Sequence, residues 1–150
     1  MPGRPDHIAR KSPAHPRRWL PIVGLTLLMG TQALAYEPRI NYMLQCLGCH
    51  GPDARGEPGR VPSIRSTLAP LSRFAAGRRY LLQVPGVALS TLSDQDLAAL
   101  LNWMIPAFGG VEPGQFRAFT SAEVARYRRE PLVEISATRA RLMRRLQGRQ

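Results

Sequence analysis

The chain contains two cysteines, and both fall in one short run, Cys46-Leu47-Gly48-Cys49, with His50 directly after it. Two soft donors three positions apart, followed at once by an imidazole, fit a single helical turn that aims all three groups at one shared object. Four chemistries use such a cluster. A thiol–disulfide redox pair also reads C-x-x-C, but it expects a βαβ setting, and no strand signal of any strength occurs in this sequence. Structural zinc wants four nitrogen or sulfur ligands. Beyond the first 35 residues only Cys46, Cys49 and His50 are available, because His7 and His15 lie in the N-terminal segment. A plain disulfide between such near neighbours would close a small, strained loop.

The fourth chemistry accounts for all three residues. C-x-x-C-H is the pattern of covalent c-type haem attachment. The two thiols reach the two vinyl groups on one edge of the macrocycle, and the adjacent histidine presents its imidazole to the iron. Cys46 and Cys49 are therefore the expected covalent haem-binding residues and His50 the proximal iron ligand, with one haem c as the cofactor.

Export agrees with this reading, since c-type haem is attached outside the bacterial cytoplasm. Arg4, Arg10, Lys11, Arg17 and Arg18 form a basic opening, followed by the apolar run "WLPIVGLTLLMG" and a small-x-small site at Ala33-Leu34-Ala35. That order is the order of a secretory signal peptide over residues 1–35 and predicts a periplasmic protein. The alternative is an uncleaved membrane anchor. Pro21, Thr26, Thr31 and Gln32 interrupt a run that is short against the roughly 20 apolar residues of a span, so no stable membrane span is expected after cleavage. Arg17-Arg18 also hints at a twin-arginine signal, with weak support from its neighbours.

The formal charge of +11 must be divided accordingly. Five basic residues and Asp6 leave with the signal, so the mature chain keeps +7, all of its positive charge on arginine. A basic surface steers a protein toward an acidic partner or an anionic membrane. It equally fits solvated arginines in a basic proteome. No nucleic-acid-binding motif is present, and nucleic acid is not an expected partner.

Periodicity predicts an all-α chain. A short helix is expected from Pro38 to Cys49, with Ile40, Met43, Leu44 and Leu47 on its apolar face. The Gly- and Pro-rich stretch "HGPDARGEPGRVPSI" reads as loop. A second helix is expected from Arg73 to Val84, ended by Pro85-Gly86. The clearest runs from Asp94 to Ile105, with Ser93 as N-cap, Leu97, Leu100, Leu101 and Met104 as a buried stripe, and Pro106 closing it. Thr120 and Glu123 form a capping box for a helix to about Glu130. Ile135 to Gln147 reads as a basic amphipathic helix, a packed or peripheral appendage rather than a membrane binder.

Two stretches resemble class I cytochromes c. "YMLQCLGCHGPDARGEPGRVPSI" looks like their haem-binding half and "TLSDQDLAALLNWM" like their C-terminal helix. The resemblance implies a small helical domain wrapped around one covalently attached haem over residues 36–110, with 111–150 as an Arg-rich helical extension. It implies that Pro62 offers its backbone carbonyl to the imidazole of His50, which would fix the tautomer and raise ligand basicity. It also implies that Trp103 packs against the first helix, near Tyr42 or Met43.

The chain departs from the family at the sixth iron ligand. Counting back from Trp103 to the usual methionine reaches Val87, in "QVPGVALSTLS". Met104 opens "MIPAF", similar to the family's M-P-x-F loop with one residue inserted. On that registration "TSAEVARYRRE" would be the last helix, with Tyr127 about a turn early. Met104 is thus either the distal ligand or the last core residue of its stripe, with Met143 and an open iron as further alternatives.

The expected function is that of a periplasmic monohaem electron carrier, not an enzyme by itself, exchanging single electrons with redox partner proteins that present an acidic docking face. The carboxylates are scattered at helix starts, and no acid–base constellation is visible. The alternative is a haem-binding subunit of a larger oxidoreductase, or a ligand sensor with an open distal iron site.

Overall fold

The computed structural model describes residues 36–148, and the signal peptide expected over 1–35 lies outside them. The described residues are all-α. They form eight helices: α1 (Pro38–Gln45), α2 (Leu47–His50), α3 (Leu68–Ser72), α4 (Ala75–Gln83), α5 (Pro85–Ala88), α6 (Asp94–Gly109), α7 (Ser121–Tyr127) and α8 (Ile135–Gln147). The extended pairing present is a single isolated bridge between Glu57 and Val61.

The first expected helix is two helices. Cys46 leaves the helical region at φ −124° and separates α1 from the single turn of α2. The expected apolar face of α1 is also corrected. Ile40, Met43 and Leu44 are exposed, and the buried residues are Asn41 and Tyr42. The reason is tertiary. α1 packs on α6 through Tyr42, whose ring lies 6.0 Å from Trp103 and 4.9 Å from Phe108.

Pro106 does not close α6, which continues to Gly109 and ends at Gly110 in the left-handed region, φ 64°. A proline inside a helix costs about 3 kcal/mol through its lost hydrogen bond and ring clash. Packing of the added turn offsets it. Phe108 stacks edge-on against Trp103 at 5.5 Å, and Gly109 lies where a Cβ would meet Ala69 of α3 at 2.7 Å. The second expected helix does end before Pro85, α4 stopping at Gln83 with Val84 extended, although it starts at Ala75 rather than Arg73; Pro85 then opens the short α5, where its fixed φ suits a first turn. α7 stops at Tyr127, a turn before Glu130. Half of its capping box forms, Thr120 Oγ accepting from the Glu123 amide at 3.1 Å while the Glu123 carboxylate turns to Arg78 and Arg117, and Ser93 caps α6 likewise from Asp96 at 3.0 Å. The α8 span coincides with the sequence reading.

Leu97, Leu100, Leu101 and Met104 of α6 are buried and centre the main core, which Leu68, Leu82 and Ile105 complete. The described residues belong to one compact unit, and the 111–148 segment contributes to its interior. Phe119 and Val124 join the main core, while Leu142 of α8 packs with Leu71 and Tyr80 in a smaller cluster.

Candidate functional site

Residues of α2 form the base of the site. Its single turn is held by bonds from the His50 amide to the Cys46 carbonyl (2.9 Å) and from the Gly51 amide to the Leu47 carbonyl (2.8 Å). Gly51 then turns the chain at φ 74°. The Tyr42 hydroxyl donates to the Gly51 carbonyl at 2.5 Å, locking the turn to α1. The backbone next folds back under His50. The Gly56 amide donates to the His50 carbonyl at 2.8 Å, and the Ile64 and Arg65 amides both donate to the Ala54 carbonyl.

This loop delivers the Pro62 carbonyl to His50, with Nδ1 and the oxygen 3.1 Å apart. These are the two residues that the family resemblance pairs. A carbonyl only accepts, so Nδ1 carries the proton and Nε2 keeps its lone pair. Burial lowers the pKa of His50 below its ordinary value and favours the neutral ring, while the Pro62 bond pulls the other way. Gly56 makes the approach possible. At φ 68°, a Cβ there would lie 2.4 Å from the Val61 oxygen and 2.9 Å from the Pro62 oxygen.

Cys46, Cys49 and His50 open on one mostly apolar cavity of about 290 Å³. α6 supplies a wall of Leu97, Leu100, Leu101 and Met104; Leu68, Leu81, Val84 and Val87 extend it. Cys46 is half-buried and Cys49 exposed, and neither forms a disulfide. Burial, with Cys49 as a lesser cause, pushes the Cys46 thiol up to about 11. Reactive redox thiols have depressed pKa values, and Cys46 is shifted the opposite way. Among the described residues no three His, Cys, Asp or Glu side chains converge to hold a bare metal ion.

The methionines separate clearly. Met104 is 4% exposed and stands on the cavity wall, sharing the stripe of Leu97 and Leu101. Met43 is exposed, and Met143 does not line the cavity. Trp103 is half-buried and meets Tyr42, while Met43 points away. The loop before α6 brings Val87 and Ser90 to the cavity rather than a methionine.

Sequence reasoning missed three contributors. Tyr80 of α4 and Arg139 of α8 both line the cavity. Arg128, just after α7, holds the loop before α6 by donating to the carbonyls of Ala88 (3.3 Å), Ser90 and Leu92 (2.8 Å) and to Asp94 (3.2 Å). None of these carries a motif. A single arginine reaching several carbonyls leaves no periodic trace.

No protein-family model, curated protein or solved structure matches the chain. Among the described residues, no helix is long and apolar enough to cross a membrane.

Proposed function

We propose that the chain is a monohaem c-type cytochrome that carries single electrons between redox partner proteins, its helices wrapped around one covalently attached haem. The observation that carries this reading is the convergence of both thiols and the His50 imidazole on one apolar cavity. The group supplies, when bound, the one-electron Fe(II)/Fe(III) couple. The chain's own residues do the rest. Cys46 and Cys49 would hold the macrocycle through thioether bonds, each S–H having added across a vinyl group. His50 offers the Nε2 lone pair, and the Pro62 carbonyl holds the ring in that tautomer.

Leu97, Leu100 and Leu101 exclude water, which favours the less charged iron state. Met104 is the methionine with access to the cavity, and thioether ligation from it would raise the potential further. Cys49 is exposed, so the edge it would hold lies on the side of the cavity nearest the surface, where a partner could exchange electrons. The arginine-rich surface suits a partner with an acidic docking face, and the N-terminal segment suits export to the periplasm.

A second reading, an open distal site in a sensor or oxidoreductase subunit, is favoured by one observation: the loop before α6 presents Val87 and Ser90 at the cavity.

The test is spectroscopic. Full-length protein made with a c-type haem-attachment system should retain haem stain after denaturing electrophoresis, and Cys46→Ser with Cys49→Ser should abolish it. Haem that stays bound to the double variant defeats the proposal. The methionine–Fe(III) charge-transfer band should be present in wild type and absent in Met104→Ala. If wild type lacks the band and its ferrous form takes up CO, the second reading replaces the first.

A further inference from the structure

The cavity is mostly apolar, and Tyr80 of α4 and Arg139 of α8 line it together with the neutral polar side chains of Gln45, Ser63, Thr67 and Ser90. Tyr80 is 6% exposed, yet its hydroxyl makes no hydrogen bond with any described residue. Tyr80 also borders a neighbouring groove, but the charge acting on its phenol is the guanidinium of Arg139, which belongs to the cavity side. Burial raises the phenol's pKa and Arg139 opposes the rise, so the hydroxyl is a neutral donor.

Arg139 is half-buried and forms no ion pair with any described carboxylate. The other buried or half-buried arginines among the described residues are paired. Arg78 bonds Glu123, and Arg128 bonds Asp94. Arg55 and Arg60, which share an outer groove with Arg139, pair with Asp53 and Glu57. Arg139 therefore stands between that groove and the cavity with its charge unanswered.

The other charged or titratable groups around the cavity do not answer it. α2 contributes Cys46, Cys49 and His50, α4 contributes Tyr80, and α6 contributes apolar side chains. No carboxylate of the described residues lines the cavity. A half-buried guanidinium without a counter-charge keeps donors to offer, and a planar carboxylate matches their fork.

We infer that Tyr80 and Arg139 form a carboxylate-receiving site in the cavity wall, and that it takes an acidic side chain of the macrocycle held by Cys46, Cys49 and His50. This rests on the haem reading above. The thiols fix one edge of the macrocycle. Arg139 and Tyr80 receive a carboxylate at another, so α8 sets the orientation of the bound group and keeps that carboxylate ionised. Arg139 and Tyr80 are positioning residues and do not touch the iron.

The test uses the haem-loaded full chain and measures midpoint potential from about pH 5 to pH 9. Wild type should give a flat profile, because the paired carboxylate does not titrate in that range. Arg139→Gln should keep covalent haem but acquire a pH-dependent potential that rises as pH falls, as the released carboxylate takes up a proton. Arg139→Lys should restore the flat profile, and Tyr80→Phe should show a smaller slope than Arg139→Gln. An Arg139→Gln protein with covalent haem and a wild-type profile overturns the inference while leaving the haem reading intact. Wild type without covalent haem overturns both.

Discussion

Glu123 meets Arg78 across one of the few places where this protein buries opposite charges. The Arg78 side chain is 3% exposed and that of Glu123 13%, and Arg78 donates from Nη2 at 2.6 Å and Nε at 2.7 Å in a fork. Its remaining donors go to the carbonyls of Ser72, Arg117 and Ala118, and its plane lies 3.8 Å from the Phe119 ring centre. The Arg78 hydrogen bond, opposed by burial, holds the Glu123 carboxyl below the ordinary carboxylate range. A depressed acid contributes stability that is fully present above its unfolded pKa, near 4.5, and is lost as pH falls through the lower folded value. Glu123→Gln should therefore cost about 3 kcal/mol at neutral pH, by stranding the Arg78 charge, and should flatten the acid limb of the stability curve. Urea titrations across pH check both. The Cys46, Cys49 and His50 cluster was legible at this scale because it is local, three side chains in one turn. Arg78 was not, since three of its four hydrogen-bonding partners, Arg117, Ala118 and Glu123, lie 39 to 45 residues away, and most of the groups it binds are backbone carbonyls.

Helices were legible where one face is strongly apolar or a cap is present. Ser93, Thr120 and the α8 stripe gave their boundaries from local signals that the structure repeats. α1 was misread in its face because Ile40, Met43 and Leu44 have helical spacing, whereas burial is decided by Tyr42 meeting α6. Pro106 was misread because helix-ending rules carry no information about Phe108 and Gly109 packing beyond it. Close approach of elements is equally silent in sequence. Gly77 of α4 lies against α3 so tightly that a Cβ would sit 2.1 Å from the Leu71 carbonyl oxygen. Gly77→Ala should destabilise by about 3 kcal/mol, the upper end of the overpacking range, despite the better helix propensity of alanine. A lowered denaturant midpoint with unchanged slope measures this, and a stabilised variant would show that α3 and α4 separate without cost.

At the scale of the molecule, the segment from residue 111 onward was read as an extension because the family resemblance ends near Met104. In the structure it is part of the same compact unit. Asn102 binds both backbone groups of Phe119, donating to its carbonyl at 2.9 Å and accepting from its amide at 2.7 Å. The Leu132 amide donates to the Gln83 carbonyl at 2.9 Å, where the chain enters α8. A chain ending at Gly110 would lose Phe119 and Val124 from the core and leave Arg78 without its carboxylate. It should show no cooperative thermal transition by circular dichroism, and a sharp transition would mean that residues 36–110 fold alone. Arg128 has a consequence of a different kind. Its guanidinium joins the backbone of Ala88, Ser90 and Leu92 to the end of α7, so that loop cannot open to solvent unless α7 lets go. The two segments form one cooperative opening unit, and amide exchange in them should slow or quicken together.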